Sequence, residues 1–373
     1  MADNPTTTKL SGPERFLLLD GLRGIAAVFI VQRHIEPVLG DALPSSYLGV
    51  DLFFALSGFV LAHAYGTALR DGRMSTMQFM TARFLRLYPL YAISLALVIA
   101  YYIFMYSAGR PVMADEYVVP SELAGAIVTG LFFLPAPFTI SFNAALFLVH
   151  PAWSLFNELV ANVVYAAKGV RASVRQVAVV IAVSAVLLVL AALQFERLNA
   201  GFRWHEMYAG FARVFFSFSV GMLIYRFRPK TPQVRPLLAI VCLLAVAAVL
   251  AFPTPRDFRA PFDLLVVFLV WPSLLYVASA IVPDRRTGVL ATFVGTASYG
   301  VYVLHTPLAD WAIATMPVFS VHDTAPIAGV VLIAAIVLVS WLLTVSLDMP
   351  LQKRFKRWLR RPATIVPVDR TAS

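Results

Sequence analysis

Apolar runs long enough to cross about 30 Å of hydrocarbon recur along this whole chain. They lie at 16–39, 47–66, 86–107, 150–167, 176–194, 207–226, 236–252, 262–283, 290–316 and 325–348, with short polar stretches between them. The pattern predicts an all-α, polytopic membrane protein of about ten transmembrane helices. A further run, 122–140, is broken by Pro135 and Pro137 and is rich in Gly and Thr. It is read as a re-entrant or interfacial segment. The segments then fall into a tail at 1–15, a transmembrane unit at 16–348 and a basic tail at 349–373, with no appended soluble domain.

Composition agrees with this pattern. The chain is 60% hydrophobic and 13% charged, with mean hydropathy +0.78, whereas a soluble domain is about 45–50% apolar and about 25% charged. Charge then sets the orientation. With ten crossings and 122–140 left uncrossed, 22 Lys and Arg residues fall on one side, in the clusters at 9–15, 70–86, 168–175, 226–235, 285–286 and 353–370. The other side receives five: Arg110, Arg197, Arg203, Arg256 and Arg259. By the positive-inside rule both termini are cytoplasmic. The net charge of +10 is mostly this signal. The tail KRFKRWLRR reads as a juxtamembrane stop on anionic lipid rather than a nucleic-acid patch. The first run carries Arg and His and lacks a small-residue cleavage pattern, so it is not a removed leader. The single Cys242 excludes an internal disulfide. No metal site and no internal repeat is evident.

Ionisable residues at membrane depth are the functional candidates, because each costs on the order of 3 kcal/mol unless it faces a cavity or a partner. Arg23 and His34 lie eleven steps apart in the first run. At about 100° per residue this is three turns plus about 20°, so they share a helix face about 16 Å apart along the axis. Asp51, at the outer end of the second run, either orients His34 through a hydrogen bond or caps its own helix N-terminus. Ser57-Gly58 reads as close helix packing more than as a nucleophile. Arg83 and Arg86, in the inside loop ARFLRLYPLY, are spaced i,i+3; they serve either as topology anchors or as a phosphate clamp. His150, Ser154 and Glu158 follow at i, i+4 and i+8, with Trp153 beside them as an interfacial belt residue or a platform for a sugar ring. Arg213 and His305 are further intramembrane candidates, each with a structural alternative.

The ordered set LDGLRGIAAV with its following His, DLFFALSGF, RFLRLYP, WSLFNE and SYGVYVLHTPL resembles the acyltransferase 3 family of integral-membrane O-acyltransferases. The resemblance runs from about residue 17 to 310. It implies a ten-span core that moves an acyl group, often acetyl, from cytoplasmic acyl-CoA to a hydroxyl of a cell-surface glycan or small glycoside. Acyl-CoA enters as donor substrate, with no permanently bound cofactor. The setting implied is the bacterial inner membrane, and the partners are that donor, the acceptor and the bilayer, with no nucleic acid. By position, Arg23 and His34 match the family's Arg–x10–His pair, Arg83 and Arg86 its RxxR pair, and Glu158 the Glu of its Trp-Ser-Leu segment. Leu159 stands where a second acidic residue is usual. The expected roles follow. Arg23, Arg83 and Arg86 bind the donor, His34 acts as general base or carries the acyl group, and Asp51 orients His34. Glu158, with Trp153, Ser154 and His150, takes the acceptor. The competing class is a secondary transporter with an intramembrane Arg/His/Glu site, which the missing internal symmetry disfavours. A purely structural scaffold explains neither Glu158 nor the charged stripe.

Overall fold

The computed structural model describes residues 16–39, 43–112, 117–136, 148–319 and 326–359. The segment 1–15, the end of the 122–140 run from 137 onward and the tail beyond 359 lie outside the described residues. The helices in chain order are α1 Leu17–Arg33, α2 Glu36–Leu39, α3 Gly49–Arg70, α4 Thr76–Ser107, α5 Pro120–Gly130, α6 Ala152–Ala167 and α7 Val174–Phe195. They continue with α8 Met207–Phe227, α9 Pro236–Ala251, α10 Arg259–Leu265, α11 Trp271–Ser279, α12 Arg285–Thr315, α13 Ile327–Leu343 and α14 Met349–Leu359. The strands β1 Gln233–Val234 and β2 Ile281–Val282 form a two-residue parallel pair. Among the described residues, seven helical segments are long and apolar enough to cross a membrane: Ser46–Arg70, Thr76–Ser107, Val174–Phe195, Trp204–Phe227, Arg256–Ser279, Arg285–Thr315 and Ile327–Phe355. The protein is an all-α, multi-pass membrane protein. α9 is apolar but shorter, at 16 residues, while α1 and α6, at 17 and 16 residues, carry charged groups within them. α5 has 11 residues, about 16 Å of helix, which is too short to cross.

Three boundaries differ from the apolar runs, each for a local reason. The first helix stops at Arg33 rather than 39. Pro37 has no N–H to offer the Arg33 carbonyl, so the ladder cannot continue. His34 becomes the C-cap, its N–H donating to Val31 O and Gln32 O. The third long helix starts at Thr76, ten residues before the apolar run. Ser75 and Gln78 close a reciprocal capping box there, so Arg83 and Arg86 sit on helix, not loop. The last helical stretch continues past 348 to Leu359.

Prolines inside the long helices free carbonyls that other helices answer. Pro89 in α4 leaves Leu85 O without its i+4 donor. Gln352 Nε2, from α14, donates to Leu85 O at 2.9 Å and to Arg86 O at 3.1 Å. Pro307 in α12 frees Val303 O in the same way, and Ser94 Oγ of α4 donates to it at 2.6 Å. Pro272 and Pro350 each follow a π-helical stretch, Val266–Val270 and Thr344–Asp348, where the widened turn takes up the missing bond. In a bilayer no water substitutes for such partners.

α1 lies along α12, and α3 along α8. The second contact is backbone-close. A Cβ added at Gly58 would stand 2.0 Å from Phe218 O, and one at Gly221 would stand 2.0 Å from Ala55 O. Gly58 therefore packs the helices, while its neighbour Ser57 turns toward α6.

Candidate functional site

Two cavities lie between these helices. The first, of about 420 Å³, is lined by Arg23, Arg83, Arg86, Ser57, Glu158 and Tyr302 among others. The second, of about 370 Å³, is lined by His34, His150, His305, Trp153, Arg213 and Tyr302 among others. They share Val50 and Tyr302 as lining residues, so α3 and α12 together form the partition.

In the first cavity each arginine meets a carboxylate through one nitrogen. Arg23 Nη2 donates to Asp20 at 2.7 Å and its Nε to Ser298 Oγ at 2.9 Å. Arg83 Nη2 donates to Glu158 Oε1 at 2.6 Å, and Ser57 Oγ donates to the same oxygen at 2.6 Å. With its amide oxygen turned toward Arg83 Nε, Asn162 accepts at 3.2 Å. Arg86 Nη1 donates to Asp348 at 2.8 Å, and its guanidinium lies 5.4 Å from the centre of the Tyr299 ring. The Tyr299 hydroxyl donates to Leu87 O. Arg23, Arg83 and Arg86 thus converge, as the sequence pattern expects.

Glu158 joins the arginines, not Trp153. Five residues around a helix is about 500°, which sets Trp153 and Glu158 about 140° apart. Ser154 shares the Glu158 face at i+4 and also lines the arginine cavity. The expected stripe His150–Ser154–Glu158 breaks because α6 begins at Ala152, with Pro151 as its N-cap. His150 therefore precedes the helix and lines the other cavity.

In the second cavity the His34 ring centroid lies 4.6 Å from that of His305 and 5.0 Å from that of His150. His305 Nδ1 is 3.0 Å from Val301 O. A carbonyl only accepts, so this nitrogen carries the proton. His305 Nε2, 3.0 Å from His34 Nδ1, then accepts from it. His34 Nδ1–H also faces Ile30 O at 3.2 Å. The neutral His34 ring is thereby held with its lone pair on Nε2, the arrangement a proton acceptor needs.

Asp51 does not orient His34. Its carboxylate accepts from Arg213 Nε at 3.0 Å and from Arg213 Nη2 at 2.7 Å. Both side chains are essentially inaccessible, at 0% and 1% exposed. Arg213 also donates to Ala200 O at 2.9 Å and Tyr47 O at 3.0 Å, and covers the Trp153 ring at 5.3 Å. One face of the proposed sugar platform is thus already occupied. The partner of His34 is His305, from another helix.

Sequence reasoning missed Tyr302, Asp348 and Asn162. The Tyr302 hydroxyl lies 2.5 Å from Ser154 Oγ, which itself donates to Pro151 O at 2.9 Å, so Tyr302 is the donor of that pair. Tyr302 and His305 are i,i+3 on α12, a shared face the pattern could have flagged. Asp348 was legible as a carboxylate inside the last apolar stretch, just before Pro350.

The sequence profile described as "Acyltransferase domain" matches residues 16–345. "Protein 2 in picA locus" of Rhizobium radiobacter is 60% identical over 188 residues, covering 50% of this chain and 98% of the relative. No solved structure matches. A profile match over nearly the whole chain settles the class: the protein is an acyltransferase and belongs to the acyltransferase 3 family.

Proposed function

We propose that this protein moves an acyl group, acetyl by family resemblance, from cytoplasmic acyl-CoA to a hydroxyl of a cell-surface glycan or small glycoside. The observation that carries the reading is the pair of cavities separated by Val50 and Tyr302, one lined by Arg23, Arg83 and Arg86 and the other by His34, His150 and His305 beside four further arginines. The orientation follows from charge. With ten crossings and both termini in the cytoplasm of a bacterial inner membrane, the arginine cavity opens inward and the histidine cavity outward.

Each arginine uses one nitrogen for its carboxylate, so other N–H donors remain for the phosphates of coenzyme A. The pantetheine arm reaches toward the partition and presents the thioester there. The acceptor hydroxyl enters from the histidine side. His34 Nε2 takes its proton while the oxygen attacks the thioester carbonyl. The C–S bond breaks, the thiolate leaves as coenzyme A, and the proton on His34 passes to it. His305 fixes the His34 tautomer and disperses the positive charge. A positioned general base contributes typically about 10²–10⁴-fold in rate.

The test mixes purified protein with radiolabelled acetyl-CoA and an envelope extract from a strain lacking the gene. Labelled extract is the expected product, together with its loss in His34→Ala. Transfer that survives unchanged in His34→Ala overturns the assignment of the base. Solute uptake into vesicles by a protein inert toward acetyl-CoA replaces the enzyme reading with the transporter.

A further inference from the structure

The histidine cavity carries cations that the proposed chemistry does not use. Its charged lining residues are Arg33, Arg197, Arg213 and Arg259, and no Asp or Glu lines it among the described residues. Arg213 is committed to Asp51, and Arg33 covers the Tyr47 ring at 5.3 Å. Arg197 and Arg259 form no ion pair with any described residue; Arg259 Nε donates to Thr254 O at 3.3 Å. Both also line an adjoining groove of about 240 Å³ with Arg256, Phe195 and Glu196. Glu196, at φ 58°, turns the chain out of α7 just before Arg197. Three arginines against one carboxylate leave this rim electropositive.

The location is informative. With ten crossings, the side of the membrane reached by this cavity receives five cations between the apolar runs, since topology selects against them there. Three of those five gather at one cavity mouth. A solubilising role would scatter them, whereas clustered guanidinium groups match the geometry of carboxylate and phosphate.

Resting on the reading that this cavity receives the acceptor, we infer that the acceptor is an anionic saccharide, whose carboxylate or phosphate is held by Arg197 and Arg259 while a nearby hydroxyl reaches His34. The clustered charge also draws such an acceptor toward the mouth.

Binding, which needs no acyl transfer, tests this apart from the proposed reaction. The full chain is placed in discs of phosphatidylcholine and titrated with three probes: methyl glucuronoside, glucose 1-phosphate and the neutral methyl glucoside. At least one anionic probe is expected to bind about tenfold or more tightly than the glucoside, the scale of one charge-assisted contact. Which of the two binds tighter distinguishes carboxylate from phosphate. The preference is expected to fall to about threefold or less in the double variant Arg197→Gln, Arg259→Gln, and in about 1 M salt, where the Debye length is about 3 Å. The variant is checked by size exclusion against the parent protein. Equal binding of all three probes, no binding of any, or a preference untouched by the double variant overturns the inference. So does tighter binding of dihexanoyl phosphatidylglycerol than of either anionic saccharide, which reassigns the arginines to a lipid headgroup. Failure of acyl transfer with the anion preference intact counts against the proposed reaction alone.

Discussion

Removing one half of the Asp51–Arg213 pair should damage folding, not the chemistry of His34. Both groups are buried, at 0% and 1% exposed, and meet through two contacts of 3.0 and 2.7 Å. A buried pair that loses one partner strands a charge, at a cost of about 3–5 kcal/mol. Asp51→Leu leaves the guanidinium without its counter-ion. Arg213→Met leaves the carboxylate stranded and, in addition, the carbonyls of Ala200 and Tyr47 without their donor, about 1–3 kcal/mol each if nothing else reaches them. An unfolding entropy of about 2.1 cal/mol/K per residue over 373 residues translates 3–5 kcal/mol into a fall of roughly 4–6 °C in the thermal midpoint. The double variant removes both charges and should lose about 2 kcal/mol or more less than the sum of the two single losses. The assay is thermal unfolding of the detergent-solubilised protein, followed by size-exclusion recovery, on the parent and three variants. Additive losses, or single losses below about 1 kcal/mol, would refute the reasoning. An unshifted midpoint in Asp51→Leu with abolished transfer would return Asp51 to the chemistry.

His305→Phe removes the acceptor for His34 Nδ1–H and should lower kcat about tenfold or more with donor KM little changed; an unaltered kcat shows that the two histidines do not act as a unit. Arg83→Ala should weaken binding of coenzyme A about tenfold or more, measured by equilibrium dialysis, and an unchanged Kd removes Arg83 from the donor site. Gly58→Leu sets a side chain where even a Cβ would stand 2.0 Å from Phe218 O; no monodisperse protein is expected on size exclusion, and normal yield refutes the close α3–α8 contact. Gln352→Leu strips the donor from Leu85 O and Arg86 O and should cost about 1–3 kcal/mol in thermal unfolding.

Helix existence was legible because hydrophobic runs are set by bilayer thickness, a constraint written residue by residue. Helix ends were less legible because caps decide them. Pro37 ends α1 early, and the Ser75–Gln78 box starts α4 early. At the site, the convergence of Arg23, Arg83 and Arg86 followed from like charges at a common depth. Pairing across helices did not follow, because depth alone leaves several partners open. Asp51 lies at a suitable height for His34, yet α8 brings Arg213 to it, and a cation outcompetes an imidazole for a buried carboxylate. Glu158 shows the angular version of the same problem. Its distance along the chain from Trp153 is small, but the helix turns the two to different walls.

The bonds from Gln352 to α4 carry a consequence for biosynthesis. α4 is made before α14, and its proline leaves the Leu85 carbonyl without a donor from its own helix. The donor that covers this carbonyl, and the carboxylate of Asp348 that holds Arg86, come from the segment 344–359, which is made after the other helices described. Until that stretch inserts, the arginine cavity lacks one wall and one counter-ion. Chains released before codon 348 would therefore carry every other candidate residue and still have an open, miscompensated arginine cavity. The pocket would be completed as a single late event, when the segment 344–359 closes a wall that α1 and α4 leave open.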